Sequence, residues 1–234
     1  GSMSGDAMRQ AKQAVRTILD QLNDEDYFNL TVFGFNYQLL FPRPRKALHK
    51  NRETARRFID HFDANMGGTE IGDALQTTYL ADKKSLQPVD LLLITDGEVW
   101  GQDTIIQQAK QSGHRILSVG VGSAVSEGFV RKIAEVTGGA CELVAPREQM
   151  AQHIVRHFQR IRQPVAKKIE INWPTQPMQQ SPERVKTLYV GDTMHLFARL
   201  AEQPTQPVRL RVTFEDGQVD EQQVALLATP EHSR

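Results

Sequence analysis

Three short stretches of the chain carry hydroxyls and carboxylates in an arrangement that could hold a metal ion. They are Gly1-Ser2-Met3-Ser4-Gly5, Met66-Gly67-Gly68-Thr69 and Ile94-Thr95-Asp96-Gly97-Glu98. Hydroxyl oxygens with few carboxylates suit a hard divalent cation, Mg2+ or Mn2+, which keeps several waters and an open coordination position. Each residue also has a plainer role. Thr69 could be a helix N-cap, Asp96 a turn residue in Asp-Gly, and Glu98 either an acceptor for a ligating group or an exposed charge. Other candidates carry less. His153 and His157 are four apart on one helix, the spacing of a metal pair. No third ligand stands near them in the sequence, and they read as a surface pair. Cys141 falls in an apolar strand and reads as inert core. Gly120-Val121-Gly122 is followed by no Gly-Lys-Ser/Thr, so it is not a phosphate loop. There is no Gly-x-Ser-x-Gly elbow and no nucleophile beside a base, so an enzyme is not expected.

The elements that must position these stretches follow from hydrophobic period. Residues 4–21 place Met8, Ala11, Val15, Ile18, Leu19 and Leu22 at helical spacing. Phe28 to Phe35 is dense in β-formers and predicts a strand, and Pro42 and Pro44 break any regular element after it. Helices are predicted over 50–64 and 71–81. Val89 to Thr95 is a continuous apolar run, the mark of a strand covered on both faces. Helix 102–112, strand 114–121, helix 126–137, strand 140–145 and helix 147–162 come next. Such alternation predicts an α/β fold: a doubly wound, mainly parallel sheet with helices on both faces. Open sheets of this kind bind ligands at the carboxyl ends of their strands, where all three donor stretches fall.

The pattern changes at Pro164. Short β-like runs at 168–173, 193–200, 208–214 and 224–228 are separated by turn formers such as Pro174, Gly191, Pro207 and Asp216-Gly217. The reading is an α/β domain over 1–163 and a small antiparallel β module over 164–234, the latter cut short at Arg234. Lys plus Arg equals Asp plus Glu at 28 each, so no net field favours nucleic acid or an anionic membrane. The basic run at 43–57 reads as a solvated helix face. One cysteine excludes an intrachain disulfide. No apolar run approaches the roughly 20 residues that span a bilayer.

Taken together, GSMSG, GGTEIGDAL and LLLITDGEV, in this order and spacing, resemble the metal-ion-dependent adhesion site of von Willebrand factor A-type (vWA) domains. The resemblance covers about 1–162. The continuation IRQPVAKKIEINWP and then LYVGDTMHLFARL is similar to the β segment that succeeds the vWA domain in inter-α-trypsin-inhibitor heavy-chain-like proteins. The family pattern is Asp-x-Ser-x-Ser after the first strand, a Thr from a Gly-Gly-Thr loop and an Asp that ends a later strand. The resemblance implies that Ser2 and Thr69 are direct ligands and that Asp96 acts through a coordinated water. A register using Ser4 is the alternative at the first position, and Gly1-Ser2-Met3 could instead be a cloning remnant. The Asp and first Ser of the motif, and the central strand that carries them, would lie ahead of Gly1. The expectation is therefore a vWA domain without its first strand. In that case strands 28–35 and 89–95 close up, or a foreign strand such as 224–228 fills the gap. The implied function is a protein-binding or adhesion module whose Mg2+ or Mn2+ engages an acidic residue of a partner, with weak or no metal binding in this chain. A metal-free vWA scaffold for protein assembly is the alternative. Heavy-chain-like proteins are commonly secreted or envelope-attached, which tilts the expected compartment the same way.

Overall fold

The structure is a computed structural model that describes residues 6–34, 36–62, 70–82, 89–96, 99–122, 125–145, 149–183, 185, 187–202 and 205–225. The chain forms two compact units, Gly1–Ile161 and Arg162–Arg234.

The first unit begins with α1 (Asp6–Gln21). Its Ala11, Ala14, Ile18 and Leu19 are buried at helical spacing, and Asp6 lies in the first turn, where a negative charge suits the helix dipole. Four short strands come after it: β1 (Tyr27–Phe28), β2 (Thr31–Phe33), β3 (Tyr37–Leu39) and β4 (Arg45–Lys46). β2 and β3 form one antiparallel pair and β1 and β4 another. The single strand expected over 28–35 is thus broken at Asn29. The Asn29 carboxamide accepts the Phe41 and Leu30 N–H groups and donates to the Phe41 carbonyl, which pins the chain out of the ladder. Pro42 and Pro44 do not prevent β4, because Arg45 and Lys46 pair beyond them with Phe28 and Tyr27.

Helices α2 (His49–Asp60) and α3 (Ile71–Asp82) lead into the main sheet. It is built by β5 (Asp90–Thr95), α4 (Gln102–Ser112), β6 (Arg115–Val121), α5 (Glu127–Val136), β7 (Cys141–Val144) and α6 (Met150–Gln159). β5, β6 and β7 are parallel and adjacent in that order. On one face Leu93 and Ile116 pack with Ile71, Leu75, Ile105, Phe129 and Ile133 of α3, α4 and α5. On the other face Val119, Val121 and Val144 pack with Ala14 and Ile18 of α1 and Ile154 and Phe158 of α6. A strand covered on both faces needs no polar alternation, and six of the seven β6 residues are buried. The one hydroxyl among them, Ser118, donates to the Val130 carbonyl at 2.6 Å.

β5 has helices on both faces, as expected, but is less completely buried than β6. Its Leu91, Leu92 and Ile94 are only partly buried, while Leu93 and Thr95 are buried. Among the described residues β5 pairs on one edge only, with β6. The hairpin β2–β3 does not close against it. A strand with one neighbour keeps part of its side-chain surface open even when helices cover both faces.

In the basic run at 43–57 Arg43, Arg45, Lys50 and Arg57 are exposed, and the other cations make surface ion pairs. Lys46 bonds Glu25 at 2.7 Å, Arg52 bonds Asp24 at 3.1 Å, and Arg56 reaches Asp20 on α1.

The second unit is antiparallel. β8 (Ala166–Asn172), β11 (Val208–Phe214) and β12 (Val219–Val224) form one sheet in the order β12-β11-β8. β9 (Gln179–Ser181) and β10 (Phe197–Arg199) form a second pair. Leu188, Val212 and Phe214 make its core. Val224 pairs with Val208 at the end of β12, so it does not insert into the parallel sheet; residues 226–228 lie outside the described residues.

Candidate functional site

The carboxyl ends of the parallel strands gather the features on which a ligand could be held. Asp96 comes directly after the last residue of β5 and is half-buried. Ser2, Thr69 and Glu98 lie outside the described residues, so of the three candidate ligands the structure places Asp96. Among the described residues no group of three His, Cys, Asp or Glu side chains forms a metal position. A carboxylate such as that of Asp96 is an oxygen donor, the type that suits a hard cation rather than a thiolate- or imidazole-seeking one.

From Val99 onward the backbone is tied down by hydrogen bonds. Val99 is 6% exposed, and its N–H donates to the Ser126 hydroxyl at 3.2 Å. Its carbonyl accepts from the Gln102 side chain at 3.0 Å. Gly101 takes φ +67° at the head of α4, a left-handed conformation that costs glycine nothing and other residues more. Between these fixed points Trp100 stands 70% exposed. Acidic residues sit in the first turns of three helices near this edge: Asp73 of α3, Asp103 of α4 and Glu127 of α5. Each complements a helix dipole, and Glu127 also pairs with Arg131.

A second polar cluster lies on the last strand and its helix. Glu142 of β7 has His153 Nδ1 at 2.6 Å and receives the Arg156 guanidinium at 2.7 Å. His157 Nδ1 stands 3.4 Å from its other oxygen. Burial alone would raise the Glu142 pKa, but the hydrogen bonds from His157, His153 and Arg156 outweigh it and hold the carboxyl at about 2. This corrects the reading of the two histidines as a surface pair. His157 is 1% exposed, with Nε2 3.0 Å from the Ala140 carbonyl, and the third group absent from the nearby sequence is Glu142. Arg156 supplies the positive charge there, so the cluster is an ion-pair network that ties α6 to β7. Cys141 is half-buried on β7, and burial pushes its thiol up, in keeping with a core residue.

The sequence profile of the von Willebrand factor type A domain matches residues 1–143. The chain belongs to that family. It is 28% identical over 234 residues to the human von Willebrand factor A domain-containing protein 5A, covering 95% of this chain and 30% of that protein. A von Willebrand factor A domain-containing protein of Dictyostelium discoideum is 26% identical over 209 residues, covering 88% of this chain and 22% of that one. The chain therefore spans under a third of the length of these relatives. Among solved structures, a von Willebrand factor type A protein from Catenulispora acidiphila superposes with a TM-score of 0.60 at 17% identity, covering 96% of this chain and 63% of that one. Proximal thread matrix protein 1 of the mussel byssus, with a zinc-occupied MIDAS motif, superposes at 0.52 with 17% identity, covering 67% and 42%. The fold is the α/β fold of vWA domains.

Proposed function

We propose that the vWA domain is a protein-recognition module rather than an enzyme. It uses a hard divalent cation, Mg2+ or Mn2+, at the carboxyl edge of its parallel sheet. Ser2 and Thr69 would hold the ion directly and Asp96 through a water. The open coordination position would take a carboxylate of a protein partner. The observation that carries this reading is the place of Asp96: half-buried, at the end of a strand covered by helices on both faces, where open sheets put their ligands. The zinc-occupied motif of the mussel protein supports it as a precedent on the same fold. Oxygen donors here favour Mg2+ or Mn2+ over zinc.

Calorimetric titration of Mn2+ into the chain and into Asp96→Ala tests the reading. Weak binding is expected in the parent chain and a loss of at least about tenfold in the variant, roughly 1.4 kcal/mol. Equal affinities in the two would remove Asp96 from the site. No Mn2+ heat in the parent would favour the metal-free scaffold.

A further inference from the structure

A groove of about 260 Å3 opens between α3 and α4. Glu70, Asp73 and Gln76 line one wall, and Trp100, Thr104 and Gln108 line the other. Gly72 of α3 faces Ile105 of α4 at the groove floor, where a Cβ would make ordinary van der Waals contact at 3.4 Å.

Three properties say what fits. First, among the described residues no Lys, Arg or His lines the groove, while two carboxylates do. Second, neither Glu70 nor Asp73 has an ion-pair partner among the described residues, whereas Asp20, Asp24, Glu25, Asp60, Asp90 and Glu142 each have one. A charge at a helix N-terminus is accounted for by the dipole, but the dipole gives no reason for the indole opposite it. Third, Trp100 is 70% exposed on a backbone held through Val99 and Gly101. An exposed indole on a fixed backbone loses little freedom on binding, and tryptophan is the aromatic most enriched among residues that dominate protein interfaces.

We infer that this groove binds an arginine side chain of a protein partner. The guanidinium stacks on the Trp100 ring while its N–H groups reach the Glu70 and Asp73 carboxylates. A planar cation with donors along its edge satisfies both walls at once, and an ammonium satisfies only the charge. The inference rests on the carboxyl edge of the sheet being the partner-binding face, as proposed above, and does not require the metal.

The chain has two tryptophans, so its amide spectrum carries two indole N–H signals, from Trp100 and Trp173. Nα-acetyl-arginine amide is titrated into the full 15N-labelled chain at low ionic strength with EDTA present. The parallel probes are the citrulline and lysine amides. The expected result is a saturable shift of the Trp100 signal with arginine alone and no movement of Trp173. In the Glu70→Gln/Asp73→Asn chain, with its remaining spectrum unchanged, the affinity falls at least about tenfold. A Trp100 response to citrulline or lysine equal to that with arginine would overturn the inference, as would an undiminished response in the double variant. Because EDTA is present throughout, failure here leaves the metal reading to the Mn2+ titration, and failure there leaves this result standing.

Discussion

Glu142 lies 17% exposed beneath two histidines and an arginine, and that placement makes it a stability element with a defined pH signature. Its carboxyl falls from 4.5 to about 2 in the folded chain. A carboxyl held low contributes fully above its unfolded pKa, and its contribution fades as pH falls toward the folded value. Glu142→Gln should therefore cost up to about 3 kcal/mol at neutral pH, and the difference from the parent chain should shrink between pH 4.5 and about 2. Urea unfolding of the two chains across that range measures it. A constant difference at every pH would mean that packing, not charge, is what the substitution removes. Trp100 and Asp96 belong to the same scale, and each is read by a single substitution or a single resolved signal.

At the scale of elements, the passage from α5 into β7 depends on one close approach. A Cβ on Gly139 would stand 1.8 Å from the Ile116 carbonyl oxygen of β6. No rotamer relieves a clash with backbone, so the connection or β6 must shift. Gly139→Ala should destabilise the domain by about 2 kcal/mol or more, in the range that overpacking costs. Gly128 is a contrast: nothing lies within 4 Å of a Cβ there, and it sits in the first turn of α5. Gly128→Ala should be neutral or stabilising by up to about 1 kcal/mol, because alanine loses less backbone entropy in a helix. Thermal melts of both variants check the pair, and similar losses in both would contradict the account of the β6 contact. Cross-strand charge also works at this scale: Arg115 holds Asp90 at 2.5 and 2.9 Å and donates to the Ile161 carbonyl, which joins β5, β6 and the end of the α6 segment.

For the whole molecule, the two units have separate cores, one in two layers around the parallel sheet and one around Leu188, Val212 and Phe214. Residues 173–178 and 187–196 carry little regular structure. Segments with few ladder hydrogen bonds open before packed helices do. Limited proteolysis should cut first between 163 and 192 and leave the parallel-sheet unit intact. An initial cut within 89–121 would place the weakest point inside the main sheet and contradict this division.

Much of this was legible along the chain. Helices α1 to α6 and strands β5 to β7 fall where period and composition put them, because amphipathic spacing records which face of one element is buried. The place of Asp96 at the end of β5 was legible too, since a carboxylate straight after an apolar strand can be found without knowing its neighbours. The run 89–95 is covered on both faces as its apolar composition says, but that composition does not report the strands beside it. Only the ladder shows that β5 has β6 on one edge. The break at Asn29 was hidden because its bonds go to Phe41, and a side chain that competes with a ladder is visible only once its distant partner is in place. Glu142 and His153 stand eleven residues apart on different elements, and Glu70 and Trp100 line one groove only because α3 packs on α4. Contacts of these kinds are set by how elements pack on one another, and hydrophobic period within an element does not encode them.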